Sequence, residues 1–232
     1  MMINLVKLFI KIHSKKLDDL LHGNHKRFSI LNTNFNDFKY ELVVEQEIMP
    51  SPTFESKVFN LATASNLISK HLILPGQIFS FWKIVGNPNK IFKKGRTIQN
   101  GKIKEDVGGG ICQVSGVVYY LCLISGLEVT ERYNHSVDLY NDETRFAPLG
   151  TDATVVYGYK DLRFKNNLNT PIKIDIIVEG NKITGRLLSQ KKLVVNELNY
   201  EIQDLGEKLH VIVLDKFGTK INSSSYLKLV EG

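Results

Sequence analysis

The chain is poor in the groups that staple small folds. It has two cysteines among 232 residues, Cys112 and Cys122. Both fall in a stretch that reads as one helix, where ten residues span about 15 Å, beyond the reach of a disulfide. Two free thiols are therefore expected, which suits a reducing compartment. There is no Cys-x-x-Cys pair and no His-Glu-x-x-His, so the sequence calls for no metal and no cofactor. No run approaches the roughly twenty apolar residues of a transmembrane helix. Residues 2–12 are apolar but broken by Lys7 and Lys11, and no small-residue cleavage site follows, so no secretory signal is read and a cytoplasmic protein is the default. Between residues 83 and 104 there is no acidic residue at all.

What is present describes an ordinary globular chain: 43% hydrophobic and 23% charged residues, enough to build a core without staples. The formal net charge of +6 is unevenly placed. Residues 1–55 carry seven basic and seven acidic side chains, and residues 191–232 carry six of each, so the middle holds the whole excess. Lys83, Lys90, Lys93, Lys94, Arg96, Lys102 and Lys104 form a basic segment running into Gly108-Gly109-Gly110-Ile111-Cys112. It reads either as a solvated loop or as a lip that draws an anionic small molecule or peptide, with Lys94 and Arg96 as contacts. No nucleic-acid motif accompanies it, so no nucleic-acid partner is expected.

The patterning suggests three parts: an N-terminal helical extension (1–55), a central domain (56–190) and a β-rich C-terminal extension (191–232). Residues 3–22 are amphipathic, with Leu5, Leu8, Phe9, Ile12, Leu17, Leu20 and Leu21 able to line one side and Lys7, Lys11, Lys15 and Lys16 the other. Packing on the body is the favoured reading of that face, with contact to a membrane surface the minor one. Residues 40–46 read as a strand, 54–71 as a helix and 77–83 as an aromatic-rich strand. Ile111–Ser125 is apolar all round, which suits a central buried helix closed by Gly126. Tyr133, His135, Val137 and Leu139 alternate as on one face of a strand, and a second strand is read from Ala153 to Tyr157. Residues 172–178 and 182–188 flank a hairpin turn, and short strands follow. The expected fold is α+β: a central buried helix opening at Cys112, packed on a mainly antiparallel sheet.

A nucleophilic cysteine needs a base, and the base an orienting group. The chain offers Cys112, His135 and Asp152 in that order, with Asp161 as a reserve carboxylate. A thiol at a helix N-terminus is held toward thiolate by the helix dipole. This is loosely the layout of papain- and transglutaminase-like folds. Gly109, Gly110, Gln113 and Arg132 would then border the substrate, and the N–H of Cys112 and the Gln113 amide would be oxyanion donors. Each residue also has a structural reading: Cys112 as a small buried hydrophobe, His135 as a core histidine, Asp152 as a turn cap. The alternatives are a thiol hydrolase or acyl-transferase, a non-catalytic binder of an anionic ligand, and a scaffold.

Five ordered segments resemble the VanW family. They are Pro75-Gly76-Gln77-Ile78-Phe79-Ser80-Phe81, Gly108-Gly109-Gly110-Ile111-Cys112-Gln113, Glu131-Arg132-Tyr133-Asn134-His135-Ser136, Asp152-Ala153-Thr154-Val155-Val156-Tyr157 and Asp161-Leu162-Arg163-Phe164-Lys165-Asn166. They cover roughly residues 56–190. The family is named for an accessory protein of B-type vancomycin-resistance clusters, so the resemblance implies a link to peptidoglycan or cell-envelope metabolism. It also implies a short form, without the anchors and wall-binding domains of larger relatives. It implies no particular reaction and no oligomeric state.

Overall fold

The computed structural model describes residues 2–32, 34–35, 37–99, 102–138 and 147–228. In chain order the elements are helix α1 (Met2–Leu21), β1 (Ile30–Leu31), β2 (Tyr40–Glu47), α2 (Phe54–Ile68), β3 (His71–Ile73), β4 (Ile78–Ser80), α3 (Phe81–Val85), β5 (Lys94–Gln99), β6 (Lys102–Val107), α4 (Cys112–Ser125), β7 (Glu128–Glu131) and β8 (Arg163–Lys165). There follow β9 (Ile172–Glu179), β10 (Lys182–Ser189), β11 (Leu198–Asp204), β12 (Lys208–Asp215) and β13 (Lys220–Leu227). The fold is α+β with antiparallel sheets.

The central sheet has the order β1-β3-β9-β10-β2, antiparallel throughout. Its buried face comes from period-two alternation: Ile172, Ile174 and Ile176 on β9, and Ile183, Gly185 and Leu187 on β10. Helices α2 and α4 pack on the sheet. Ten of the fourteen residues of α4 are buried, Val114, Val117, Val118 and Leu121 completely. Burial on all sides outweighs the weak helix propensity of its valines. At Gly185 a Cβ would stand 2.3 Å from Cγ1 of Val117, so this glycine lets the helix settle on the sheet. Gly126 ends α4 in the left-handed conformation at φ 69°.

The smaller sheet β4-β8-β7 brings Phe79 and Phe164 into a stacked pair with centroids 4.8 Å apart. The C-terminal strands form a separate sheet, β11-β12-β13, around Val211 and Tyr226.

Four sequence expectations need correction. The strand expected over 77–83 stops at Ser80. There the Ser80 hydroxyl accepts from the N–H of Lys83 at 3.3 Å and caps α3, so Phe81 and Trp82 are helical. The second half of the basic segment is a hairpin, β5–β6, rather than a loop. The two strands expected around His135 and Asp152 are irregular instead. One backbone bond links the two segments, Thr154 N–H to the Tyr133 carbonyl at 2.8 Å, but His135 N–H donates instead to the side chain of Asp152, at Oδ2, 2.7 Å. Side-chain acceptors of this kind compete with a regular ladder. Bridges form instead with the C-terminal tail, parallel between Val137 and Leu227, and within the second segment's turn, antiparallel between Val156 and Lys160. Leu139 and Tyr140 lie outside the described residues. Last, α1 buries little of its apolar surface: Leu8 and Ile12 are half-buried, while Leu5, Phe9, Leu17, Leu20 and Leu21 are exposed.

Candidate functional site

The three glycines before Cys112 shape the entry to α4. Gly108 and Gly110 have φ of 80° and 93°, a region that strains other residues. Gly109 has no room for a side chain: a Cβ there would stand 2.2 Å from the carbonyl carbon and oxygen of Gly95 on β5. Asn60 of α2 ties this crossing. Its Nδ2 donates to the carbonyls of Lys93 (3.0 Å) and Gly109 (3.1 Å), and its Oδ1 accepts from Lys93 N–H at 2.8 Å. The β5–β6 hairpin is thereby pinned beside the first turn of α4.

Cys112 is the first residue of α4 and is half-buried. Its Sγ lies 3.5 Å from Thr154 Oγ1. It also lies 3.9 Å from the Val155 carbonyl, and the His135 ring stands close enough to shift its proton equilibrium. On the other side of the ring, Nδ1 of His135 stands 2.6 Å from Asp152 Oδ2. An ionised carboxylate only accepts, so Nδ1 carries the proton, and Nε2 is the nitrogen left for the thiol. The structure thus brings Cys112, His135 and Asp152 together, with His135 neighbouring both of the others.

The charges follow from this geometry. Burial alone drives the Cys112 thiol up, but the hydrogen bond and charge of His135 outweigh it and hold the thiol below its ordinary range. Burial disfavours the imidazolium, yet the hydrogen bonds to Asp152 and Cys112 push His135 up to about 10. Burial also opposes ionisation of Asp152, and the bonds and charges of His135 and Arg132 bring it down to about 2. Both shifts favour moving the proton from the thiol toward the ring, beside a carboxylate held ionised. Cys122, deep in α4, is pushed well up by burial and is inert by comparison.

Asp152 is braced by residues that the sequence offered in other roles or not at all. Arg132 was expected at the substrate. It is nearly buried, and its donors are spent inside the protein. Nε reaches the Asp152 carbonyl (2.8 Å), Nη1 reaches Ser224 Oγ (2.6 Å), and Nη2 reaches Asp152 Oδ1 (3.0 Å) and the Gly150 carbonyl (3.2 Å). Its guanidinium also stacks over the Tyr119 ring. Tyr226 donates its hydroxyl to Asp152 Oδ1. Ser224 and Tyr226 belong to β13, and no local pattern in the sequence links them to residue 152. Thr154 was legible only as a neighbour of Asp152.

The other expected residues are placed differently. The Gln113 amide donates to the Glu47 carbonyl at 2.8 Å, so it is turned to β2 and not to the thiol. Asp161 is committed elsewhere, to Ser80 Oγ (2.6 Å), Trp82 N–H (3.1 Å) and Arg163 Nε (2.9 Å). Lys94 and Arg96 are exposed on β5, and Arg96 N–H donates to Thr53 Oγ1 at the start of α2. Gly110 rests on the stem of Lys57, whose Cγ would be 2.6 Å from a Cβ. Among the described residues no three His, Cys, Asp or Glu side chains are grouped to hold a metal ion. No helix among them is long and apolar enough to cross a membrane.

The family described as "VanW like protein" matches residues 56–188, a segment that contains Cys112, His135 and Asp152. The chain belongs to the VanW family. It is 34% identical over 140 residues to the vancomycin B-type resistance protein VanW of Enterococcus faecalis, covering 60% of this chain and 51% of that protein. It is 37% identical over 122 residues to the uncharacterized protein YoaR of Bacillus subtilis, covering 52% and 39% respectively. The chain thus spans about half the length of these curated relatives or less. No solved structure matches it. The papain- or transglutaminase-like layout expected from the sequence therefore has no structural neighbour to support it. The matched VanW segment ends before β13, so Ser224 and Tyr226 brace the site from outside it.

Proposed function

We propose that this VanW-family chain is a cysteine-dependent acyl-transfer protein acting on an amide of a cell-envelope peptide. The Cys112 thiolate attacks the amide carbonyl carbon. The carbon–nitrogen bond breaks as His135 gives its Nε2 proton to the departing amine, leaving an acyl group on sulfur as a thioester. Water or an acceptor amine then attacks the thioester, His135 takes the incoming proton, and the Cys112 thiolate is released. Asp152 fixes the ring and stabilises its charge. The N–H of Cys112, at the open end of α4, faces the developing oxyanion. The observation that carries this reading is the 2.6 Å Asp152–His135 contact with the Cys112 thiol beside the same ring. The substrate class rests on the name of the Enterococcus relative, which ties that protein to vancomycin resistance. The free thiols favour a reducing compartment such as the cytoplasm.

The test is alkylation of Cys112 by iodoacetamide as a function of pH. The rate should reach half its maximum well below pH 8.5, and His135→Ala should move that midpoint upward. A Cys112 that is inert at pH 7 in the folded protein would sink the proposal.

A second reading is binding of an anionic ligand without catalysis. It is favoured by Lys57, whose ammonium is pushed down by burial and by the adjacent charge of Arg96, next to Gly110. Two crowded cations gain from an anion between them. On this reading Lys57→Met with Arg96→Gln abolishes function in cells, whereas Cys112→Ala leaves it intact. On the catalytic reading Cys112→Ala abolishes it.

A further inference from the structure

Helix α1 meets the body along a narrow strip. Leu8 and Ile12 lie over Gly158, where a Cβ would stand 2.4 Å and 3.2 Å from their side-chain carbons. Lys15 pairs with Glu131. Asp19, only 2% exposed, pairs with Arg163 at 2.7 Å. At about 100° per residue, positions 8, 12, 15 and 19 share an arc of about 60°. This strip fixes the helix to the body through a buried ion pair.

The opposite side of a docked surface helix is ordinarily polar. Here it is not. Val6, Phe9, Ile10, Leu17, Leu20 and Leu21 are 54% to 74% exposed. Their positions fill an arc of about 120° pointing away from the body, with the polar His13 among them. Lys7 borders the arc on one side and Lys16 on the other, with Lys11 farther round beyond Lys7, all three exposed. Among the described residues none of these lysines forms an ion pair with an acid. The acids of α1 are confined to its end, where Asp18 meets His22 and Asp19 is buried against Arg163.

We propose that α1 lies in the plane of an anionic phospholipid surface, with Phe9, Ile10 and Leu17 in the acyl boundary and Lys7, Lys11 and Lys16 among the headgroups. The charge pattern selects this occupant. A second copy of the same helix would set lysine edges against lysine edges, whereas anionic headgroups neutralise them. Because Asp19 and Arg163 hold α1 to the body, insertion would orient the whole domain against the membrane.

The experiment is co-sedimentation of the full chain with vesicles of phosphatidylglycerol and phosphatidylcholine, and with phosphatidylcholine alone. The protein should pellet with the anionic vesicles, much less with the neutral ones, and less as salt rises. Lys7→Gln with Lys11→Gln should weaken binding about 25-fold, at about fivefold per lysine. Ile10→Asp with Leu17→Asp should abolish it while thermal unfolding stays unchanged, since both side chains face solvent. The proposal fails on any of three results: no pelleting with anionic vesicles, equal pelleting with neutral ones, or binding indifferent to these substitutions. Self-association in sedimentation velocity that Ile10→Asp breaks, without lipid binding, would overturn it in favour of a second copy.

Discussion

Tyr226 donates its hydroxyl to Oδ1 of Asp152, so a strand of the C-terminal sheet supports the carboxylate that orients His135. Tyr226→Phe removes that bond and keeps the ring. Asp152 still has Arg132 and His135, so the fold should survive with a loss of about 1.5–3 kcal/mol, typical of a hydrogen bond to a charged group. The carboxylate becomes more basic while staying ionised at neutral pH, so it pulls harder on the Nδ1 proton, favours the imidazolium and lowers the Cys112 thiol further. Thermal unfolding together with the pH profile of alkylation reads both effects. An unchanged profile would mean that the tail contributes stability alone.

Stability should fall on both sides of neutrality, for opposite reasons. Asp152 is held down to about 2 in the folded protein, below its ordinary value of 3.8. Its contribution is complete above pH 4 and is lost as pH falls toward 2, on the order of 2 kcal/mol. His135 is raised to about 10 from 6.5. Its contribution is complete below pH 6.5 and is lost as pH rises toward 10. Urea unfolding midpoints from pH 2 to 10 should trace both limbs. In Asp152→Asn the acid limb should flatten, and the retained slope should belong to other carboxylates.

Two glycines near Cys112 should respond to alanine in opposite directions. Gly109→Ala drives a methyl into the backbone of Gly95, which cannot rotate away, so the hairpin must shift at a cost of about 1–3 kcal/mol or more. Gly116, inside α4, would place its Cβ with nothing within 4 Å. Gly116→Ala should therefore stabilise by about 0.5–1 kcal/mol through reduced freedom of the unfolded chain. Denaturation midpoints of the pair decide this: equal losses would contradict the geometry.

Asp19→Ala should leave Arg163 short of a buried partner. Arg163 keeps Asp161 at 2.9 Å and Glu131 at 3.4 Å, which softens the loss to the lower end of the 3–5 kcal/mol of a broken buried pair. The first consequence should be local, a loosened α1. Limited proteolysis would cut within residues 2–21 before the body unfolds, whereas simultaneous loss of both would make α1 part of the cooperative core.

Much of this was readable along the chain, and the misses share a cause. α4, the β9–β10 hairpin and the α2 helix announced themselves through period, length and terminal glycines. The approach of Cys112, His135 and Asp152 was anticipated from residue type and order. The strands drawn through His135 and Asp152 were not there, because side-chain acceptors and the C-terminal tail take their backbone donors. Arg132 and Gln113 were given to the substrate, but their donors go to Asp152, Gly150, Ser224 and Glu47. No local pattern could disclose that, since 92 residues separate Arg132 from Ser224.

The sequence by itself determined the α+β class, the VanW family and a cysteine set behind three glycines at the mouth of a buried helix. The family rests on the resemblance of five ordered segments; the class and the helix rest on short-range physics: backbone freedom at glycine, hydrophobic period and helix capping. Only the tertiary structure decided that Gly109 exists to let Gly95 approach, that β13 braces Asp152, and that α1 turns an apolar arc outward. Those depend on where distant segments meet, and that is set by packing of the whole core rather than by any stretch of the chain.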